Sequence, residues 1–476
     1  MESDPIRDIR ETTNEREVTE GTDAQKDFLS KLSERLPTVI FGSLLCLMDI
    51  LTIGRNGFEY SPECAMLMHI SAMCFVLRFV TSQILTYYLS SFKIGLITSP
   101  VTESFFTFKS ISALLYDLQL RDEKHFATLI FCIGISTLGT AIGYFMLYRF
   151  RAEKVLEKLP GEVGVGLFFT VGWFCFKFSN EFVMGLREKL YGNSVYGYHI
   201  PLIYNVVSVC LWRGAKLASV KYPAVSRYTY VIAVMGIAGA FYTWMVLSGW
   251  SVEECRREKL LPEEPSLESL RSSWLKDLSL SSIDFRKASK CWLTILTLPV
   301  LNIIHFPINI ATIQKGCRTK ANMKKELFSH GVNNLVGTFV GVFPVYIVSS
   351  STISLNTPVR GKRVDTLLIG ASVLVLFLSA QKLISLLPNI CFNMLLLFIS
   401  FDILWDSTLE IREMGAYCTV FSLSVAIASL ANNNLATGVL VGLVIYGAKK
   451  AVYYYAKKKR TESDSFISST ISIPEK

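Results

Sequence analysis

Residues 298–316 read LPVLNIIHFPINIATIQKG, and residues 324–363, after a basic turn, read KKELFSHGVNNLVGTFVGVFPVYIVSSSTISLNTPVRGKR. The first part is an apolar helix interrupted by proline. The second begins as a helix of small residues and continues as an extended apolar run that ends in hydroxyl groups. At membrane depth, broken backbone survives only where protein encloses it or where it lines a cavity. The stretch therefore predicts a solute site inside a membrane.

The composition supports this placement. The chain has 476 residues, of which 51% are hydrophobic and 18% charged, and its mean hydropathy is +0.39. Soluble domains carry more charge and shorter apolar runs. The net charge is +9, but the basic side chains sit in short loops between apolar runs. There they indicate membrane topology rather than binding of nucleic acid.

The sequence contains no signal for catalysis or for a bound metal. It has no P-loop, no nucleophile elbow and no spacing of metal ligands, and its eleven cysteines include no CxxC pair. We therefore expect buried free thiols, no enzyme activity, no cofactor and no metal.

Apolar runs near twenty residues recur along the chain and predict an all-α polytopic membrane protein. We count about fourteen segments, as a 7+7 inverted repeat with half-helices at segments three and ten; the tenth is too short to span alone. The expected parts are a disordered cytosolic tail (1–36), a first seven-segment repeat (37–247), a polar interfacial connector (248–290), a second repeat (291–456) and a short cytosolic tail (457–476).

The charges of the loops predict the orientation. Short loops after even-numbered segments are rich in lysine and arginine, whereas those after odd-numbered segments are poorer. The loop after segment ten, for example, carries Arg360, Lys362 and Arg363. By the positive-inside rule, the even loops and both termini are cytosolic.

Two similar stretches occupy corresponding places in the two halves. Residues 92–103 read FKIGLITSPVTE and residues 343–354 read FPVYIVSSSTIS. In both, a largely extended run reaches hydroxyl side chains that can cap a helix, as Ser99 followed by Pro100 would. In inverted repeats the two half-helices would meet near the midplane with their positive ends facing one cavity. The substrate-binding candidates are Ser99, Thr102, Glu103, Ser349, Ser350, Ser351, Thr352 and Asn356.

Two carboxylates in apolar segments are candidates for coupling. Asp49 lies in segment one and Glu103 one turn into segment three, and a charge at the centre of a spanning helix costs at least about 2.5–3.5 kcal/mol. The alternatives are stabilisation of Glu103 by a helix dipole and an ion pair of Asp49 with Arg55 or Arg78.

The charge of Glu103 also bears on the charge of the solute. If ionised and about 8 Å from a bound anion, it would oppose binding by about 2 kcal/mol at an effective dielectric constant of about 20. Either the carboxyl is protonated when an anion binds, or the solute is itself a cation. Simple sulfate uniport fits least well.

Segments eight and nine supply further polar side chains. His305 and Asn309 lie four residues apart, hence on one helical face, with Pro307 between them. Both are candidates for coupling; for His305, a hydrogen-bonded core histidine that stabilises the kink is an equal alternative. Glu326 is predicted to be a helix-start residue satisfied by its own first turn.

These stretches resemble the SulP (sulfate permease) family, whose fold is an inverted repeat of seven spans with half-helices three and ten around the solute. The resemblance covers about residues 37–455, and Lys324 stands where the family usually has Asn. The family's N-R-E-L-x-x-x-G-x-x-N pattern and the G-x-F-P and S-x-S…N…G signature that follows it are matched at Lys325, Glu326, Leu327, Gly331, Asn334, Gly341, Phe343, Pro344, Ser349, Ser351, Asn356 and Gly361.

A finer resemblance is to a fungal SulP-like branch associated with vacuolar membranes and storage of basic amino acids. It rests on a His-x-Pro-Ile-Asn motif that begins at His305, on Asp49 in segment one and on Glu103 in segment three. SulP proteins usually carry a cytosolic STAS domain after the last span. About twenty residues follow Tyr455, so we expect no such domain here.

The resemblance implies a secondary transporter that moves a small anion, sulfate-like or organic, with proton coupling and by alternating access. The first alternative is a proton-coupled transporter of basic amino acids, arginine or lysine, at a vacuolar-type membrane. The second is a non-transporting scaffold or an anion channel. The implied partners are a small ionic solute, protons and the lipid bilayer of a plasma or vacuolar-type membrane, with no nucleic acid and with a homodimer left open.

Overall fold

The structure is a computed structural model that describes residues 35–50 (except 37, 45 and 48), 68–100, 102–151, 161–191, 199–222, 229–258, 260–262, 280–356, 361–379, 385–432 and 434–470. In the first half, helical backbone between residues 35 and 50 precedes α1 (Met68–Leu89), β1 (Thr98–Pro100), α2 (Thr102–Asp117), α3 (Asp122–Arg149), α4 (Gly161–Tyr191), α5 (His199–Lys221) and α6 (Thr229–Leu247). Two short helices, α7 (Val252–Arg257) and α8 (Phe285–Lys290), belong to the connector.

The second half follows the same plan. Its elements are α9 (Trp292–Gly316), α10 (Met323–Phe339), β2 (Val345–Ile347), α11 (Ser349–Leu355), α12 (Arg363–Ser379), α13 (Asn389–Glu413), α14 (Ala416–Ala431) and α15 (Leu435–Thr470). Each half thus places a short strand before its third helical segment, counted from the start of that half.

The mainly helical fold is confirmed. Within the described ranges, five helices are long and apolar enough to cross a membrane, and two shorter helices are also apolar. The count of fourteen segments in a 7+7 inverted arrangement stays a prediction. The five long apolar stretches are Ile70–Leu89, Lys124–Arg149, Gly161–Gly185, Trp292–Gly316 and Asn389–Glu413.

Two details of the prediction need correction. The fold is not purely helical, because β1 and β2 form a small sheet. The thiol of Cys210 is exposed rather than buried.

The break between α10 and β2 has a local cause. Gly341 and Val342 both adopt left-handed backbone, with φ of +76° and +54°, a region that glycine enters freely and valine only under strain. A Cβ at Gly341 would collide with the carbonyl of Cys74. Pro344 then follows, which disfavours helical backbone at the residue before it. The helix therefore ends, and the chain continues extended into β2.

The two strands form an antiparallel ribbon where the halves of the chain meet. Beyond the paired residues, the Val348 amide donates to the carbonyl of Ile97 at 2.9 Å. The ribbon supplies hydrogen-bond partners to backbone groups at both interruptions of the helical course, before α2 and before α11. Buried backbone groups require such partners. The pairs are Thr98 with Ile347, Ser99 with Tyr346 and Pro100 with Val345.

Side-chain amides from the preceding helices close the outer edges of the ribbon. Asn334 of α10 donates to the Val345 carbonyl at 3.0 Å and accepts from the Val345 amide at 2.8 Å. Gln83 of α1, in the amide orientation that satisfies both neighbours, donates to the Leu96 carbonyl and accepts from the Thr98 amide, each at 3.2 Å. Each amide serves one strand as a neighbouring strand would in a larger sheet.

The described helices pack as two groups. The first group contains α1, α2, α3, α8 to α12 and both strands, and the second contains α4, α5, α6, α13, α14 and α15. The main contacts between the groups join α2 and α9 on one side to α4 and α15 on the other. The ribbon lies within the first group and is packed against α9 and α10.

We expect Asn334→Leu to lower the free energy of unfolding by about 2–4 kcal/mol, because it leaves both backbone groups of Val345 buried and unpaired. Denaturant unfolding of the purified protein in detergent micelles measures the change. The matched control is Asn432→Leu at an exposed asparagine just after α14, whose amide donates to the Ala428 carbonyl of that helix. Equal effects of the two substitutions would contradict the role assigned to Asn334.

Candidate functional site

The starts of α2 and α11 lie at the two ends of the ribbon. Because β1 and β2 are antiparallel, the two helices leave the ribbon in opposite directions. The predicted caps are wrong in detail. Ser99 lies within β1, before the first helical residue Thr102, and the N-cap of α11 is Val348, which makes no side-chain cap hydrogen bond. The two stretches pair with each other through the backbone ribbon, and serine capping does not produce this contact. That the two helix starts face one cavity stays a prediction.

Ser349 connects the start of α11 to α9. Its Oγ donates to Oδ1 of Asn309 at 3.1 Å. Asn309 is buried, and its Nδ2 has no hydrogen-bond partner in the described part of the chain. A buried amide N–H that lacks an acceptor is available to a water molecule or a solute. Asn309 therefore presents a donor next to the ribbon.

His305 lies one helical turn before Asn309 and is fully buried. Its ring stacks on Phe168 of α4, with centroids 4.1 Å apart and planes 9° apart. The ring of Tyr346 in β2 lies 6.5 Å away in an edge-on arrangement. His305 thus sits where the first helix group meets the second, beside the ribbon.

Thr352 and Asn356 support the backbone that leads into β1. The Ile97 amide donates to Thr352 Oγ1 at 3.2 Å, and Asn356 Nδ2 donates to the Gly95 carbonyl at 2.9 Å. These predicted substrate-binding residues therefore hold residues 95–97 in place. Of the remaining serines of α11, Ser351 is buried and Ser350 is exposed.

The two predicted carboxylates are only partly covered by the structure. Asp49 is half-buried in the first helical stretch. Glu103 and Thr102 occupy the first turn of α2, and their side chains lie outside the described part of the chain. Arg55, one suggested partner of Asp49, also lies outside the described part of the chain. Arg78, the other suggested partner, donates to backbone carbonyls instead.

One polar residue of α9 escaped the sequence prediction. Asn302 is fully buried, and the Tyr144 hydroxyl lies 3.1 Å from its carbonyl oxygen and 3.3 Å from its Oδ1. Asn302, His305 and Asn309 recur at spacings of three and four residues along an apolar helix, which indicates one polar face. That spacing was visible in the sequence and would have identified Asn302.

Glu326 is held by the first half of the chain rather than by its own first turn. The carboxylate is fully buried, and its Oε1 accepts from Ser90 Oγ at 2.9 Å, from the Ser91 amide at 2.5 Å and from Ser91 Oγ at 2.7 Å. The prediction failed because these donors are more than two hundred residues away in sequence. His330 is also buried; its Nδ1 lies 2.8 Å from the Glu326 carbonyl oxygen.

Aromatic side chains line the boundary between the helix groups on the side of α2. The Lys109 Nζ lies 4.3 Å from the ring centroid of Phe178 in α4 and 4.7 Å from that of Phe105. Phe106 stacks on Phe178 at 5.6 Å. Such a cation–π contact accommodates a charged amine among apolar side chains. Helix α2 thus contacts α4 through aromatic rings on this side of the boundary.

A family model described as the sulfate permease family matches residues 197–422. Among curated proteins, the vacuolar basic amino acid transporter VSB1 of Saccharomyces cerevisiae is 19% identical over 437 residues, which cover 88% of this chain and 41% of that protein. The chain thus spans about two fifths of the length of this relative.

Solved structures of membrane transporters share the fold. The transmembrane domain of a cyanobacterium bicarbonate transporter, BicA, matches with a TM-score of 0.58 at 14% identity, over 85% of this chain and 97% of that domain. The structure of SLC26A9 matches with a TM-score of 0.55 at 16% identity, over 90% of this chain and 67% of that one. The murine Slc26a9 anion transporter in its inward-facing state matches with a TM-score of 0.55 at 13% identity, over 88% of this chain and 68% of that one.

We expect Thr352→Val to lower the free energy of unfolding of the solute-free protein by about 1–3 kcal/mol, because it leaves the Ile97 amide buried without an acceptor. Thr352→Ser keeps the hydroxyl and should retain most of the stability. Thermal unfolding of both variants in micelles makes the comparison. If Thr352 only contacted solute, neither variant would change the stability of the solute-free protein.

Proposed function

We propose that the chain is a member of the sulfate permease family and a proton-coupled secondary transporter of a small anion that works by alternating access. The family and the structural relatives are transporters rather than enzymes. The two ends of the chain would lie in the cytosol, in a plasma or vacuolar-type membrane. The proposed partners are a small ionic solute and protons; a homodimer is compatible with this function.

One observation carries the proposal. The antiparallel ribbon brings the starts of α2 and α11 together, within the first helix group and next to its boundary with α4. Broken helices that meet at membrane depth are the usual way in which a transporter builds a solute site. In our proposal, the first helix group moves against the second and exposes the ribbon to each side of the membrane in turn.

The proposed site uses most of the predicted residues. Ser349 and Asn309 would provide hydrogen bonds to the solute from α11 and α9, and His305 would close the site against Phe168. Thr352 and Asn356 would act indirectly, through the backbone of residues 95–97 that they support. The remaining proposed contacts are Ser99, Thr102, Glu103, Ser350 and Ser351, with Asp49 and Glu103 as coupling residues.

Coupling to protons follows from the charge of Glu103. An ionised carboxylate about 8 Å from an anion would weaken its binding by about 2 kcal/mol. Protonation removes this repulsion, so the anion and the proton would bind together. Helix α9 contains no acidic residue, which disfavours a cation site for sodium on that helix.

A basic amino acid is the second candidate solute. The relative that covers 88% of this chain is named a vacuolar basic amino acid transporter. Ionised Asp49 and Glu103 would attract a cationic solute for the same electrostatic reason that they repel an anion. Proton coupling would then be an exchange of the proton for the amino acid.

Uptake into vesicles reconstituted with the purified protein decides between the two candidates. We expect labelled sulfate to enter faster than labelled arginine and to be driven by a proton gradient. Glu103→Gln, which mimics the protonated state, should make sulfate uptake independent of the gradient. Proton-driven uptake of arginine without sulfate would establish the second candidate, and uptake of neither would contradict both and favour a scaffold. Protein-free vesicles provide the baseline.

We expect Ser349→Ala to raise the KM for the transported solute about fivefold, with an unchanged maximal rate, since one hydrogen bond that orients Asn309 is worth about 1 kcal/mol. Initial uptake rates over a range of solute concentrations measure both quantities. The control is Ser424→Ala at a half-buried serine of α14 that donates within its own helix, to the Val420 carbonyl. A KM equal to that of the control would remove Ser349 from the site.

A further inference from the structure

We propose that Arg78 and Glu326 are positioning residues and that each holds the broken stretch of the opposite half of the chain, an arrangement that we call crossed. We call residues 90–97, which precede β1, the first lead-in, and residues 340–344, which precede β2, the second lead-in. Arg78 belongs to the first half of the chain and holds the second lead-in. Glu326 belongs to the second half and holds the first lead-in.

Arg78 of α1 donates to two backbone carbonyls, one in the second lead-in and one in α10. The side chain is fully buried; its Nε donates to the Phe343 carbonyl at 2.8 Å and its Nη2 to the Asn333 carbonyl at 2.7 Å. The planar guanidinium therefore ties the middle of α10 to the residue just before Pro344. A lysine has a single nitrogen and cannot reproduce this divergent pair of contacts.

Two glycines make room for this arginine. A Cβ at Gly337 would overlap the guanidinium group itself, and a Cβ at Gly341 would lie 2.9 Å from Arg78 Cβ. Gly341 also carries the positive φ of the break. The position of Arg78 and the course of the second lead-in therefore depend on each other.

Glu326 of α10 makes the reciprocal contact with the first lead-in. Its buried Oε1 accepts from the Ser91 amide at 2.5 Å and from the hydroxyls of Ser90 and Ser91 at 2.9 and 2.7 Å. These two residues directly follow the end of α1 at Leu89. A carboxylate that accepts a backbone N–H and two hydroxyls is a strong, charge-assisted anchor for the start of an extended segment.

The two anchors are spaced along one helix pair, with Arg78 at the middle of α1 and Glu326 in the first turn of α10. Helices α1 and α10 pack against each other, and between the anchors Asn333 Nδ2 donates to Thr86 Oγ1 at 3.3 Å. Arg78 and Ser90 are twelve residues apart on and just beyond α1, about 18 Å along the helix axis. The opposite charges are therefore too far apart to form an ion pair, and each makes hydrogen bonds to a lead-in instead. In the described part of the chain, Arg78 Nη1 and Glu326 Oε2 have no hydrogen-bond partner.

The crossed arrangement has a mechanical consequence. Phe343 lies two residues before β2, which leads to Ser349, and Ser91 begins the run that leads to β1 and α2. Since each half holds the lead-in of the other, neither broken helix can shift alone. The ribbon and both helix starts would move as one body against the second helix group.

Hydrogen exchange followed by mass spectrometry on the full chain in micelles tests the proposal without any solute. We expect Arg78→Lys to accelerate exchange of amides 343–355 about tenfold, while amides 91–98 stay within about twofold of wild type. Glu326→Gln should do the reverse. The control is Ser400→Ala, which removes a buried hydrogen bond to the Gly172 carbonyl inside the second group and should change neither segment.

The crossed assignment would be overturned if either variant accelerated exchange equally in both segments. It would also be overturned if a variant accelerated exchange in neither segment. If Arg78→Lys does not fold, Gly337→Ala displaces the guanidinium while keeping its charge, and it should accelerate the same segment, 343–355. No acceleration with that variant would also overturn the proposal.

A role in transport adds a second readout and rests on the proposed function. Both positioning variants should raise the KM for the solute that the wild type carries about tenfold, with less than a twofold change in maximal rate, whereas Ser400→Ala should leave the KM unchanged. A fall in maximal rate alone would limit the role of the two residues to folding. Segment-specific exchange in a protein that transports nothing would refute the proposed function and leave the crossed anchoring in place.

Discussion

A backbone N–H or C=O that leaves a helix inside a membrane must find another partner, and this constraint governs the centre of the protein. The chain breaks its helical course twice, before α2 and before α11, and every such break frees polar backbone groups. The structure pairs the two breaks with each other in a ribbon. It then closes the outer edges of the ribbon with the amides of Gln83 and Asn334.

The same constraint accounts for buried side chains that would otherwise be costly. Thr352 and Asn356 accept from and donate to the backbone before β1, and Arg78 and Glu326 bind the two lead-ins. A buried charge is tolerated when several hydrogen bonds satisfy it. Polar residues of this centre therefore divide into those that complete the backbone and those, such as Asn309, that keep a donor without a partner in the described structure.

Local sequence rules located the breaks well and their stabilising contacts poorly. The proline, the glycines and the hydroxyl clusters near residues 98–103 and 341–352 correctly marked where the helices end and begin. Serine capping, inferred from the same residues, was wrong for both breaks, because backbone pairing between the halves replaced it. Glu326 was similarly misassigned, since its donors at Ser90 and Ser91 are neighbours only in the folded chain.

The sequence by itself determined the membrane class and the two places where the backbone breaks, because apolar length, composition and turn residues act over short distances along the chain. Only the tertiary structure decided which groups satisfy the broken backbone and where the polar side chains of α9 stand relative to the ribbon. The partners of Arg78, Glu326 and Thr352 lie more than two hundred residues away in the chain. Such contacts depend on how helices cross in space, which no local pattern of residues specifies.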